Sequence, residues 1–152
     1  MSDVEILLVE DNPNDVELTL RAFRQSKLAN QIHVARDGEE ALDFLFCRGS
    51  FSSRSPNAPP RIVLLDLKLP KVDGMTVLRA IKSNPHTRAI PVVVLTTSRE
   101  ERDLAESYQL GVNSYIQKPV DFGQFLDTVK QLGMYWLVVN EFPPTPVCAR
   151  TE

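Results

Sequence analysis

Three uninterrupted aliphatic runs punctuate the chain, at residues 6–9 (ILLV), 62–65 (IVLL) and 92–95 (VVVL). Short apolar runs bounded by turn residues fit strands buried on both faces, as in the interior of a parallel sheet. Residues 30–35 instead alternate, with Ile32 and Val34 pointing one way, and 114–117 (SYIQ) are mixed. Both read as edge strands covered on one face only. Helical spacing fills the intervals. Asn12 and Pro13 open a first helix, as cap and first helical residue, that carries Val16, Leu20 and Phe23 to about residue 27. Asp37 with Glu40 opens a second, carrying Ala41, Leu42, Leu45 and Phe46, with Cys47 inside its pattern and a stop near Gly49. Asp73 and Gly74 open a third with Val77, Leu78 and Ile81, which ends at Ser83-Asn84-Pro85 because the residue before proline resists helical geometry.

A fourth helix starts from Ser98 and Glu101 and is closed by Gly111. Only Leu104, Ala105, Tyr108 and Leu110 are available for burial, so few contacts would hold it. A last helix puts Phe122, Phe125, Val129, Leu132 and Trp136 on one stripe, with Gln124, Asp127 and Lys130 facing water. Strict alternation of strand and helix implies a parallel sheet joined by right-handed crossovers. With the three apolar strands central, the order is 2-1-3-4-5, a doubly wound α/β fold. Its switch point lies between strands 1 and 3, where such sheets bind ligands. Those two strands end in Glu10, Asp11 and Asp66, and the next two end at the same rim in Thr96 and Lys118.

Composition narrows the field. The 152 residues are one domain's worth, 43% hydrophobic and 24% charged, which excludes a disordered chain. A net charge of −3 provides no basic field for nucleic acid. No apolar run approaches the roughly 18 residues that span a bilayer, and the start MSDVE has no signal-peptide character, so a cytoplasmic protein is expected. Cys47 and Cys148 have no spacing of a metal knuckle or disulfide framework. His33 and His86 each stand alone.

Three acids around one point need protons or a hard divalent cation, and Mg²⁺ suits an oxygen-only set. Lys118 opposite the acids and the Thr96 hydroxyl would then frame a place for a phosphoryl group, with Asp66 as the acceptor nucleophile. Taken singly, each has a plainer reading. Asp66 could cap its turn, Lys118 could pair with the acids, and Thr96 could be a satisfied turn hydroxyl. Five such residues at five correct strand ends make the joint coincidence hard to sustain.

The motifs VEDNP, LLDLKLPKVDG, VLTTS and SYIQKPV resemble those of the receiver domain of two-component response regulators, over roughly residues 3 to 130. The resemblance implies a flavodoxin-like, CheY-like fold in which Asp66 is phosphorylated from a phosphohistidine on a sensor kinase. It further implies that Glu10, Asp11, Asp66 and the Lys68 carbonyl bind Mg²⁺ (or Mn²⁺), that Thr96 and Tyr115 move with phosphorylation, and that Lys118 pairs with the phosphoryl group. The bond before Pro119 is cis in that family. Glu10 departs from the aspartate frequent at its position, though its longer side chain is expected to reach the cation site. The chain looks most like the small response regulators that partner phytochromes, which implies a phytochrome kinase.

By this reading residues 1–133 are the receiver and 134–152 an apolar extension and tail, with no separate output domain. The segment 49–60, rich in Ser, Pro and Asn, is expected to be a surface loop. In the extension Met134, Tyr135, Leu137, Val138 and Phe142 surround Trp136 in all directions, more than one helix stripe can bury. A homodimer through this surface, with Tyr108 beside it, is the expected remedy, and folding back onto the same domain is the alternative. Two rival functions are weaker. A haloacid-dehalogenase-like phosphatase needs a second Asp two residues after the first, where Lys68 stands, and a nucleotide-binding module needs a glycine-rich motif that does not occur. A phosphorylation-independent scaffold of the same fold leaves the five site residues without a role.

Overall fold

The computed structural model describes residues 6–26, 31–96, 111–112 and 114–117, with the single positions 123, 126, 127 and 130; of Ser26, Thr96 and 114–117 only the backbone is described. The strands are β1 (Ile6–Val9), β2 (Ile32–Ala35), β3 (Ile62–Asp66), β4 (Val92–Thr96) and β5 (Ser114–Gln117). They form one sheet in the order β2-β1-β3-β4-β5, every neighbouring pair parallel. The expected order is therefore observed. Parallel pairing brings all five carboxyl ends to one rim.

The sheet is covered on both sides, which is why its central strands are apolar throughout. Alternate side chains serve opposite faces. Leu7, Val9, Val63, Leu65, Val92 and Val94 pack with α2 (Gly38–Leu45) and α3 (Gly74–Ser83). Ile6, Leu8, Ile62, Leu64, Val93 and Leu95 pack with Val16, Ala22 and Phe23 of α1 (Pro13–Ser26). The fourth helix expected over 98–110 lies outside the described residues. Of the last one, positions 123, 126, 127 and 130 are helical, Leu126 packs on the α1 side of the sheet, and Asp127 and Lys130 are exposed. Among the described residues no helix is long and apolar enough to cross a membrane.

Helices α1, α2 and α3 each start where a side chain satisfies the first free amides. Asn12 Oδ1 accepts from the Asn14 and Asp15 amides (2.8 and 3.2 Å), Asp37 Oδ1 from Glu40 (2.7 Å), and Asp73 Oδ1 from Thr76 (2.8 Å). From the last turn of α3, the Lys82 ammonium donates to the carbonyls of Arg88 and Ile90 (3.2 Å each), holding the turn that enters β4. Burial pushes its pKa below that of an ordinary lysine.

Two local expectations need correction. Helix α2 ends at Leu45, and Cys47 lies beyond it in the left-handed region at φ 57°. Strand β2 is an edge strand, yet its outer face is not bare. His33 stacks on Phe44 (centroids 4.4 Å apart), meets the Phe51 ring edge-on at 5.2 Å, and its Nε2 lies 3.1 Å from Glu40 Oε2. That cover comes from Phe44 of α2 and from Phe51 of the 49–60 segment, which is the surface loop expected. The segment opens with a short 3-10 helix, Gly49–Phe51, and Arg54 ties it down by donating to the carbonyls of Phe44 and Ala58 while its guanidinium lies 3.8 Å over the Phe44 ring.

Candidate functional site

Strand register builds the site. Val9 pairs with Leu65, so extending the ladder by one residue sets Glu10 opposite Asp66. Side-chain parity along β1 and β3 then sends both acids to the same side of the sheet, just beyond the apolar layer. Asp11 follows Glu10 where the chain turns into α1. The three residues can each bring a carboxylate oxygen within 4.8 Å of the others'.

Their environments differ. Glu10 is buried at 1% exposure and Asp66 at 5%, whereas Asp11 is exposed. Two acids thus form the floor of the site and the third its solvent side. Backbone amides hold the floor in place: Asn12 N–H donates to Glu10 Oε2 (3.2 Å) and Lys68 N–H to Asp66 Oδ1 (3.0 Å). Such bonds fix a carboxylate's orientation.

An all-oxygen trio of this kind fits a hard divalent cation that keeps part of its water shell, since exposed Asp11 leaves a solvent side. It does not fit a soft metal, because no thiol or imidazole joins the cluster among the described residues. The residues present therefore suit divalent metal binding.

The loop 67–73 between β3 and α3 leads directly out of Asp66. Leu67 N–H donates to Leu95 O (3.3 Å), and Gly74 N–H donates back to Leu67 O (3.0 Å), closing the loop at its base. Gly74 is needed here for room. A Cβ on it would lie 2.4 Å from Asp66 O and 2.4 Å from Leu67 Cα, distances no real contact shows. Thr96 ends β4, one residue beyond the Leu95 that pairs with Asp66, and its backbone pairs with Gln117 at the end of β5. The Thr96 backbone is therefore at the same rim as the acids. Tyr115 is within β5, with its backbone paired to Val94.

Glu10, Asp11, Asp66, Lys68 and the Thr96 backbone are thus brought to one place. Lys118 lies outside the described residues, as do Tyr108, Met134, Tyr135, Leu137, Val138 and Phe142. Gly74 and the two amide donors were missed in the sequence. A glycine directly after a helix-capping aspartate is a faint signal for Gly74, and amide donors leave none.

Comparison with known proteins agrees with this geometry. A family model described as the response regulator receiver domain matches residues 6–130. The chain is 46% identical over 138 residues to the probable methanogenesis regulatory protein FilR2 of Methanothrix harundinacea (strain 6Ac), covering 91% of this chain and 86% of that one. It is 41% identical over 138 residues to the response regulator Rcp1 of Synechocystis sp. (strain ATCC 27184 / PCC 6803 / Kazusa), covering 91% and 92%. The Mn(2+)-bound structure of Rcp1 matches with a TM-score of 0.81, at 38% identity over 94% of this chain and all of that one. The phosphorylated cyanobacterial phytochrome response regulator RcpA matches with a TM-score of 0.82, at 40% identity over 94% of this chain and 100% of that one.

Proposed function

Since the chain belongs to the response regulator receiver domain family, we propose that it accepts a phosphoryl group from a sensor histidine kinase onto Asp66 and passes the signal on through a changed partner surface. One observation carries the reading: three carboxylates within 4.8 Å at the rim, with Asp66 as the last residue of the central strand. In the transfer, an Asp66 carboxylate oxygen attacks the phosphorus of a phosphohistidine. The new O–P bond forms as the N–P bond breaks, and the electron pair stays on the imidazole nitrogen. The Lys68 amide on Oδ1 fixes the carboxylate's rotation during attack.

Mg²⁺, or Mn²⁺ in its place, would be held by Glu10, Asp11, Asp66 and the Lys68 carbonyl. When bound, it supplies neutralisation of the acids and of the incoming phosphoryl oxygens. Lys118 is assigned to pair with the phosphoryl group, and Thr96 and Tyr115 to report it. A hydroxyl drawn toward new acceptor oxygens vacates space into which an aromatic ring can turn. Residues 1–133 make up the receiver in this reading and 134–152 an extension. The protein is taken as cytoplasmic, with no turnover beyond at most a slow loss of its own phosphoryl group.

A phytochrome is the kinase class we favour, supported by the likeness to RcpA. Because a probable methanogenesis regulator is also a near relative, the kinase is best found by mixing the chain with phosphorylated candidate kinases and following transfer. The cation is tested with a small phosphodonor. Intact mass should rise by one phosphoryl group with Mg²⁺ and not with a chelator. Equal labelling in both would remove the cation's role, and no labelling by any donor would remove the acceptor reading.

The apolar residues of 134–142 and Tyr108 are assigned to a homodimer surface. Sedimentation at roughly tens of micromolar should give twice the monomer mass, since association is concentration-dependent. A monomer at that concentration, phosphorylated or not, would eliminate the dimer.

A further inference from the structure

Loop 67–73 is anchored at its base through Leu67 and Gly74, and the Lys68 amide bonds the Asp66 side chain, but those contacts alone would leave the loop's tip free to shift. The tip is instead held by a different element. Gly38, the first residue of α2, donates its amide to Pro70 O (3.3 Å). The two backbones meet so closely that a Cβ on Gly38 would lie 1.9 Å from Val72 O and 2.8 Å from Val72 Cβ. Between them stands Lys71, in the left-handed region at φ 68°. A glycine would take this backbone without strain, so what a lysine adds is its ammonium. That ammonium lies 3.7 Å from Asp37 Oδ2 and 3.7 Å from Glu39 Oε1, both on the first turn of α2 or its cap. Asp37 serves two ends at once, with Oδ1 on the Glu40 amide and Oδ2 toward Lys71.

We propose that the N-terminus of α2 is a latch for the loop that leads out of the acidic site, with Gly38 and Lys71 as positioning residues for cation binding at Asp66. The proposal rests on the reading of Glu10, Asp11, Asp66 and the Lys68 carbonyl as the cation's ligands. Neither Gly38 nor Lys71 touches the cation; they act by fixing the backbone that carries Lys68. Most of the hold lies in the Gly38 contact, because Lys71 is 61% exposed and surface ion pairs contribute little.

The test is direct binding of Mn²⁺ alone, followed by the loss of free-ion magnetic resonance signal, in the full chain. Gly38→Ala must displace the Val72 backbone and should weaken Mn²⁺ about tenfold, the usual effect of disturbing a group behind the ligands. Lys71→Glu provides a second arm that introduces no clash, and here the two explanations predict opposite signs. As a plain field effect, replacing a cation by an anion near the site tightens Mn²⁺ binding. Breaking the latch weakens it, by about twofold to fivefold at low salt, with recovery in Lys71→Arg. Unchanged affinity in a folded Gly38→Ala, or unchanged or tighter binding in Lys71→Glu, would overturn the latch. A wild-type chain that binds no Mn²⁺ would instead remove the ligand assignment itself, and the latch with it.

Discussion

Asp66→Asn is expected to abolish phosphoryl acceptance from any kinase or small phosphodonor while leaving the protein folded. The loss is chemical. A carboxamide oxygen is not a competent nucleophile at neutral pH, and no neighbouring acid can substitute in place. Glu10 is buried with an oxygen engaged by the Asn12 amide, and Asp11 is at the exposed side of the site. The fold should survive because the substitution keeps the shape and the acceptor for the Lys68 amide. Charge even favours it. Two ionised carboxylates 4.8 Å apart, the outer limit of the cluster, repel by roughly 3 kcal/mol at an effective dielectric of about 20. Removing one should raise the melting temperature in the absence of divalent cation. The wild type should regain ground on adding Mg²⁺, by about 2.7 kcal/mol at a hundredfold excess over its Kd, and Asp66→Asn should respond much less. Intact-mass labelling and thermal scans with and without Mg²⁺ check both parts. Undiminished labelling of the variant would place the acceptor elsewhere.

The features legible in the sequence are those that burial and chain order control. Strands β1, β3 and β4 stand out because both faces are covered, so the run is apolar without interruption. From their order, the meeting of Glu10, Asp11 and Asp66 follows by topology alone. The caps Asn12, Asp37 and Asp73 were legible because each bonds to an amide two or three residues away. Contacts between distant segments were not. His33 occupies a polar position in an alternating strand and reads as solvent-facing. Its cover comes from Phe44 on α2 and Phe51 after it, held in turn by Arg54. Cys47 keeps the helical spacing of its neighbours although the backbone has already turned left-handed. Gly38 and Gly74 each open a helix like any small residue. Only the distances to Val72 and to Asp66 reveal that neither position has room for a methyl group.

That lack of room makes Gly74→Ala the second large effect. Two terms compete. Alanine in a helix gains up to about 1 kcal/mol over glycine, and Gly74 is the first residue of α3. Against this, the new Cβ would meet Asp66 O and Leu67 Cα at 2.4 Å and the Leu67 carbonyl carbon at 2.8 Å. All three are backbone atoms that cannot rotate away, so strand end or helix must move. Overpacking of this kind costs about 1–3 kcal/mol or more, and the steric term should win. The expected net loss is roughly 1–2 kcal/mol, a fall in melting temperature of about 2–8 °C for a chain of this size. The displacement falls on the acceptor itself, because the atom struck is the Asp66 carbonyl. Misplacing a reacting group by about 1 Å can cost on the order of a hundredfold in rate. Labelling of the fully folded variant, compared well below its melting temperature, should therefore be slowed far more than its stability suggests. Asp73→Ala is the control. It removes the cap on Thr76 and about 1 kcal/mol, but pushes nothing toward Asp66. If the two variants lose stability alike and label at equal rates per folded molecule, Gly74 matters only to the helix. A rate lost in Gly74→Ala and kept in Asp73→Ala means that the close approach of α3 to β3 aims the acceptor.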